Sequence, residues 1–342
     1  MKVQQIIYAT VPRGEVKDDG STFKKTEIEI DENASLDGGM LLKPLELSVD
    51  PYLRGRMRDE SVKSYSPPLA AGKAMTSIGL ARVERSESDK FKQGSLVLHY
   101  TMPWQELYVV DASALGSLVP IQKNDSIELS VYLSALGMPG RTAYTSFYDI
   151  GQPKKGESIF VTAASGAVGQ LVVQLAKIEG LRIIACAGSD EKCEFVKSLA
   201  PDATVFNYKT SDVADELKKF GLVDIMYDNV GGPQLDAFMV NAANFARIIA
   251  CGAISGYNGE SYPLKNATQI VPRRLAIRGF IQGDYGQEWT ERFRRDMGAH
   301  LAEGRIKTKE WVVEGLENGP KAFVDMMAGR NHGKTVIRVA KM

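Results

Sequence analysis

The sequence predicts an α/β protein of two domains, one a doubly wound parallel sheet and the other compact and β-rich. Three observations carry that expectation. Residues 1 to about 125 alternate short β-rich runs with Gly, Pro and Asp/Asn turns; Gly156 to Lys192 reads as strand, small-residue turn, helix and second strand; and strands go on alternating with helices to about residue 304.

In the first region the β-rich runs are Gln4 to Thr10, Thr26 to Ile30, Gly39 to Leu47, Ile78 to Glu84 and Ser95 to Tyr100. From Ile127 to Ile150 the pattern turns helical, interrupted at Gly137-Met138-Pro139-Gly140. Ser158 to Ala163 then reads as a buried strand, and Val168 to Glu179 as a helix with Val168, Leu171, Val172, Leu175, Ala176 and Ile178 at helical spacing. Arg182 to Ala187 closes a βαβ unit. The alternation continues through strand Ala203 to Phe206, helix Val213 to Phe220, strand Val223 to Asp228, helix Gln234 to Asn241 and strands Arg247 to Cys251 and Leu275 to Ile281. Helix Thr290 to Glu303 ends that series. Strand Lys307 to Val313, helix Pro320 to Ala328 and strand Thr335 to Val339 form a tail expected to return to the first domain. The expected division is therefore a β-rich domain of residues 1–125 completed by 305–342, around a parallel-sheet domain of residues 126–304.

Composition narrows the function. Lysine plus arginine and aspartate plus glutamate number 42 each over 342 residues, so no net field recruits nucleic acid or an anionic membrane surface. A small-molecule partner is expected. Three cysteines, Cys186, Cys193 and Cys251, sit in apolar segments and make no disulfide framework. The N-terminal residues hold no uninterrupted apolar run, and none in the chain approaches the ~18 residues that span a bilayer. The expectation is a cytoplasmic protein that binds neither nucleic acid nor membrane.

The βαβ turn reads Ala163-x-x-Gly166-x-x-Gly169, a dinucleotide fingerprint with its first glycine replaced. Small residues there let the backbone approach a pyrophosphate, and the following helix start supplies N–H groups and a favourable dipole. The plainer reading is a tight βα turn that binds no nucleotide. About 20 residues beyond the turn, where an acidic residue would select NAD, stand Gly188 and Ser189, with Lys192 one helical turn on. A small residue leaves room for a 2′-phosphate and a lysine neutralises it, so NADP(H) is expected over NAD(H). Asp190 and Glu191 oppose this unless they point outward at the helix start.

Eight segments occurring in order are more specific than any one alone. They are Asp50 to Met57, Gly137 to Gly140 with Thr142-Ala143-Tyr144, Ala163 to Gly169, Gly188 to Lys192, Phe206 to Lys209, Asp228 to Gly232, Cys251 to Asn258 and Asn331-His332-Gly333-Lys334. Together they resemble the zinc-independent medium-chain dehydrogenase/reductases of the prostaglandin reductase, leukotriene hydroxydehydrogenase and alkenal double-bond reductase group. The resemblance implies a GroES-like catalytic domain beside a Rossmann domain, NADPH as cofactor, and reduction of the C=C bond of enals and enones. It implies that Gly166, Ala167, Val168 and Gly169 hold the pyrophosphate and that Lys192 and Tyr208 meet the 2′-phosphate. Asn229 would lie beside the nicotinamide ribose. Cys251, Ile254, Ser255 and Tyr257, with Phe280, Ile281 and Gln282, would line the nicotinamide pocket, and Asn331 would close over the cofactor. Similar enzymes are often homodimers, and strand Leu275 to Ile281 is the segment expected to pair across a two-fold axis.

Only His99, His300 and His332 are available as histidine ligands, and no cysteine precedes Cys186, so no metal is expected. Without a Lewis acid the electrophile must already be activated, as a conjugated carbonyl is, and charge developing on its oxygen needs a donor. Tyr257 is the first candidate for that donor and Tyr52 the second, each with a half-buried packing role as its plainer reading. Tyr285 is a weaker candidate on a loop. Two residues depart from the group's pattern: Ile78 where some plant members carry a pocket tyrosine, and Arg141 where an apolar residue is common. Arg54, Arg56 and Arg58 are expected to be solvated or ion-paired surface groups rather than a carboxylate-binding face. The readings carried forward are an NADPH-dependent 2-alkenal/enone reductase, a quinone reductase on the same scaffold, and a non-catalytic cofactor- or RNA-binding protein.

Overall fold

The computed structural model describes residues 1–341; residue 342, the last of the expected returning tail, lies outside the described residues. The chain divides into two compact units, Met1–Leu133 with Glu310–Met342, and Ser134–Lys309.

The N-terminal stretch forms β1 (Lys2–Tyr8), β2 (Phe23–Glu29), β3 (Met40–Val49), the short α1 (Tyr52–Arg56), β4 (Lys73–Ala74), β5 (Thr76–Ser86), β6 (Leu96–Pro103), β7 (Tyr108–Val110) and β8 (Leu118–Ile121). The middle of the chain gives α2 (Met138–Ser146), β9 (Ser158–Val161), α3 (Gly169–Ile178), β10 (Arg182–Ala187), α4 (Asp190–Leu199), β11 (Thr204–Asn207), α5 (Val213–Phe220) and β12 (Val223–Asp228). It continues with α6 (Gly232–Asn241), β13 (Ala242–Ala250), α7 (Ile270–Arg273), β14 (Ala276–Gly279) and α8 (Gln287–Ala302). The tail adds β15 (Glu310–Glu314), α9 (Gly319–Met327) and β16 (Lys334–Arg338).

In the Ser134–Lys309 unit the six strands run parallel in the order β11-β10-β9-β12-β13-β14. Counted from β9, that is the 3-2-1-4-5-6 order of a Rossmann sheet, whose direction of growth reverses between β9 and β12. Strands buried on both faces must be apolar throughout: Ile159, Phe160, Val161, Ile184, Ala185, Ile225, Met226 and Tyr227 have no measurable exposure. Phe160 stacks on Phe206 at 6.3 Å and on Phe238 at 6.4 Å, tying β9, β11 and α6 into one core.

The other unit is β-rich. Its larger sheet runs β15-β16-β3-β5-β6-β8, with β7 also on β3, and β2-β1-β4 form a second sheet. The tail enters the larger sheet through antiparallel pairing of β16 with β3, Thr335 opposite Val49 and Arg338 opposite Glu46. Phe23, Trp104 and Phe323 share this core; Phe23 stacks on Trp104 at 6.4 Å and meets Phe323 edge-on at 5.9 Å. Gly319 is required by that packing, because a Cβ there would lie 2.7 Å from the Trp104 ring.

Two local expectations change. The helical run expected over 127–150 is broken into a 3-10 turn (Leu129–Leu133), α2 and a π-turn (Phe147–Gly151). The strand expected over 275–281 is shorter, Ala276–Gly279, and lies at the sheet edge with all four residues exposed.

Candidate functional site

Within the parallel-sheet unit, four loops follow the carboxyl ends of neighbouring strands at the reversal, where open α/β sheets place their ligand-facing groups. After β9 comes the Ala163–Gly169 turn. Ala163, standing where the fingerprint has glycine, adopts φ +47, a left-handed conformation that L-residues seldom take. Its amide-linked neighbour Ala164 donates to Cys186 O at 2.9 Å, fixing the turn to β10. Gly169 is obligatory for a steric reason: an added Cβ would lie 2.4 Å from Ala163 O and 2.7 Å from Ala164 Cα. Helix α3 begins there with no side-chain capping hydrogen bond.

After β10, Ser189 caps α4 by accepting from the Lys192 amide at 3.3 Å. Its smallness thus comes with a capping role. Asp190 and Glu191 are exposed in the first turn, and Asp190 is held by Asn207 Nδ2 at 2.8 Å. Gly188 lies against the Tyr208 ring, where a Cβ would come 3.1 Å from the phenol oxygen. Burial pulls the Lys192 ammonium below the usual lysine range, and Lys209 beside it adds to the effect. Lys209 was not singled out from the sequence, and its adjacency to Tyr208 in Phe206-Asn207-Tyr208-Lys209 was the available signal.

After β12 the chain is held by one buried carboxylate. Asp228 accepts from the Val230 amide at 3.0 Å, the Gly231 amide at 2.9 Å and Thr162 Oγ1 at 3.2 Å. Burial raises its pKa against the pull of those donors. Thr162 in turn takes the Asn229 amide on its hydroxyl and the Asn229 Nδ2 on its carbonyl, both at 2.8 Å. Asn229 is therefore fixed across the reversal between β9 and β12. Gly231 permits the sharp exit with φ +68.

After β13, residues 251–257 are zipped to the same loop. The Cys251 and Gly252 amides donate to Asp228 O at 2.9 and 3.0 Å, Ile254 donates to Asn229 O at 3.4 Å, and Ser255 Oγ donates to Val230 O at 2.6 Å. Tyr257 folds back so that its hydroxyl accepts from the Ala253 amide at 3.4 Å. Burial raises the Tyr257 phenol above its ordinary value, so it carries its proton at neutral pH. Burial also pushes the Cys251 thiol up to about 12, which leaves it neutral beside the tyrosine.

Phe280, Ile281 and Gln282 follow β14 and lead into a 3-10 turn over Gln282–Asp284. Tyr285 points its hydroxyl at Asp149 Oδ2, 3.0 Å away, rather than standing on an unattached loop.

Tyr52 and Asn331 belong to the β-rich unit. Tyr52 opens α1 directly after Asp50-Pro51, and burial together with the Asp50 charge raises its phenol pKa. Asn331 Nδ2 donates to Gly333 O at 2.9 Å. Their segments are joined by the buried Lys334: its Nζ lies 3.1 Å from Asp50 Oδ1 and donates to Val49 O at 2.6 Å and Thr335 O at 2.9 Å. Ser48 Oγ donates to the other Asp50 oxygen. Ile78 is buried in β5 at 6% exposure.

The arginines correct the expectation of a solvated set. Arg56 is 6% exposed and donates to Pro67 O at 3.2 Å, Thr76 O at 3.3 Å and Thr76 Oγ1 at 3.2 Å. Arg54 donates to Gly14 O at 2.9 Å, and Arg58 to Gly55 O and Val62 O, both at 2.8 Å, as well as Ser66 O. A guanidinium carries its donors in a rigid fork, and here main-chain carbonyls and the Thr76 hydroxyl accept from it.

Two family models match the chain, an N-terminal domain of oxidoreductase over residues 4–118 and a zinc-binding dehydrogenase over residues 167–298. A zinc-type alcohol dehydrogenase-like protein of Schizosaccharomyces pombe is 41% identical over 93% of this chain and 92% of its own. An NADP(+)-dependent 2-alkenal reductase of Nicotiana tabacum is 39% identical over 88% of each. The crystal structure of CurA from Vibrio vulnificus in complex with NADPH superposes with a TM-score of 0.90 at 37% identity, covering 99% of this chain and 100% of that one. The matching models and relatives, on a Rossmann sheet with a β-rich unit, give the class, an oxidoreductase. The chain belongs to the medium-chain dehydrogenase/reductase family.

One of the matching models is named for zinc binding. Among the described residues no group of three or more His, Cys, Asp or Glu is placed to hold a metal ion. His99, for instance, has Nδ1 at 3.1 Å from Tyr108 OH and Nε2 at 3.1 Å from Thr101 Oγ1.

Proposed function

We propose that this protein is an NADPH-dependent reductase of the C=C bond of α,β-unsaturated aldehydes and ketones. The observation that carries the proposal is Tyr257, a protonated, half-buried phenol at the carboxyl end of β13, zipped to the loop that holds Asn229. The 2-alkenal reductase of Nicotiana tabacum supports the substrate class.

The residues present fit a dinucleotide. The turn at 163–169 is built of small residues, and α3 starts without a side-chain cap. Gly166, Ala167, Val168 and Gly169 would take the pyrophosphate through their backbone; Lys192, Tyr208 and the neighbouring Lys209 would take the 2′-phosphate. Asn229, Cys251, Ile254, Ser255, Phe280, Ile281 and Gln282 would enclose the nicotinamide end. When bound, NADPH would supply the hydride that adds to the β-carbon, and a proton from solvent at the α-carbon would complete the reduction. As negative charge grows on the carbonyl oxygen, Tyr257 Oη donates its hydrogen bond to it, and a donor kept protonated by burial needs no reorganisation to do so. The neutral Cys251 thiol keeps the pocket wall uncharged.

The edge strand β14 supports a homodimer. Its four residues are exposed, Ile277 is 42% exposed, and Val271 just before it is 80% exposed. Among the described residues no helix is long and apolar enough to cross a membrane.

The test is NADPH and NADH oxidation by purified protein offered a 2-alkenal, an aryl enone and a para-quinone in turn. Turnover of the enal or enone with preference for NADPH is the expected result. Turnover of the quinone alone would make the protein a quinone reductase, and cofactor binding without turnover a non-catalytic binding protein.

A further inference from the structure

The segment from Arg278 to Tyr285 is tied to one face of the helix that runs from α2 into the π-turn. At its two ends, Arg278 Nη2 and Tyr285 Oη reach the same carboxylate oxygen, Asp149 Oδ2, at 2.9 and 3.0 Å. In between, Arg141 Nη2 donates to Tyr285 O at 2.5 Å. In the amide orientation that satisfies both groups, Gln282 Oε1 accepts from Arg141 Nε at 2.7 Å and Nη1 at 2.9 Å. Three nitrogens of one guanidinium thus hold a side chain and a main-chain carbonyl of the same short turn. Arg141 and Asp149 stand about two helical turns apart, which puts both on one side of the helix. The aromatic rings continue the attachment, Tyr285 meeting Phe280 edge-on at 6.1 Å and Trp289 at 5.7 Å.

We propose that Arg141 is a positioning residue for the reaction, holding the Phe280–Gln282 wall of the nicotinamide pocket in its working shape, with Asp149 as the second anchor. The inference rests on the reading of that wall given above. The segment needs such an anchor: Gly283 and Gly286 bracket its end, a Cβ at either would meet nothing within 4 Å, and Ile281, Gly283 and Asp284 are exposed. Little apolar burial restrains it, so the guanidinium sets its position. The Asp149 pair with Arg278 is more exposed and contributes less.

The experiment compares wild type, Arg141→Leu, Arg141→Lys and Tyr285→Phe by hydrogen–deuterium exchange over residues 280–286 and by steady-state kinetics with NADPH and a 2-alkenal. The Asp284 amide, which donates to Ile281 O at 3.0 Å, reports on the turn directly. Arg141→Leu is expected to speed exchange in this segment about 10-fold and to lower kcat by a similar factor, while exchange in the β9–β12 core stays unchanged. Arg141→Lys restores part of both, because an ammonium reaches one acceptor but lacks the fork. Tyr285→Phe shows a smaller effect of the same kind. Unchanged exchange in Arg141→Leu overturns the proposal, as does faster exchange with kcat intact. If the wild type turns over no enal or enone, the functional reading fails instead, and the exchange comparison still decides whether Arg141 holds the segment.

Discussion

The two units assemble their candidate residues by opposite routes. In the Ser134–Lys309 unit the residues lie on successive loops after β9, β10, β12 and β13, so the parallel sheet itself gathers them. In the β-rich unit, Tyr52 and Asn331 come from distant parts of the chain. They are held by the pairing of β16 with β3 and by one buried ion pair, Lys334 with Asp50, at 3.1 Å. The first arrangement depends mainly on backbone geometry and small residues, with the buried Asp228 carboxylate holding the loop after β12, and the second on a buried ion pair. The contrast predicts different sensitivities: the loops after β9 and β10 tolerate side-chain changes that leave the backbone intact, whereas the ion-paired segment does not tolerate the loss of either partner.

The largest effect is expected at Lys334. Its side chain is 1% exposed and that of Asp50 is 5% exposed, and burial pulls the ammonium below the usual lysine range against the pull of Asp50. Lys334→Met strands a buried carboxylate and should cost about 3 to 5 kcal/mol in urea unfolding. Adding Asp50→Asn to that variant should recover part of the loss, and a loss below about 1 kcal/mol would show that water or a neighbour compensates the carboxylate and that the contrast is wrong.

Lys192→Ala sharpens the other side. Its loop keeps its shape, because the Ser189 cap uses only the residue-192 amide. The preference for NADPH over NADH should fall about 10- to 100-fold, the value of one or two charge-assisted hydrogen bonds, while urea stability stays near that of wild type. An unchanged preference would remove Lys192 from the 2′-phosphate site.

The smallest effect is expected at Ala163, whose φ of +47 is strained for an L-residue. Ala163→Gly relieves that strain but gains freedom in the unfolded chain, so stability should rise by at most about 1 kcal/mol. A loss would mean that the alanine methyl packs against something the strain serves.

The same contrast explains what could be read before the fold was known. Arg182–Ala187 was read to the residue, because Ile183 to Ala187 is the continuous apolar run that a strand buried on both faces requires. The turn after β9 was equally visible through its small residues. The Lys334–Asp50 contact was not, since a lysine in Asn331-His332-Gly333-Lys334 looks like any surface lysine until β16 pairs with β3. Arg56 misled for a related reason: alternating charge normally signals a solvated face, and only the folded chain brings Pro67 O, Thr76 O and Thr76 Oγ1 to its guanidinium. The ties of Arg141 and Asp149 to residues 278–285 likewise join segments far apart in sequence, on a helix broken by a π-turn that periodicity does not reveal.

The most direct measurement is the steady-state kinetics of Tyr257→Phe with NADPH and a 2-alkenal, alongside NADPH binding. The phenol oxygen takes part in a single 3.4 Å contact with the Ala253 amide, so its removal should leave fold and cofactor affinity intact. The account predicts a fall in kcat of about 10²-fold, the usual contribution of a positioned proton donor, with NADPH affinity unchanged. A kcat equal to that of wild type would contradict the assignment of Tyr257 as the donor to the carbonyl oxygen.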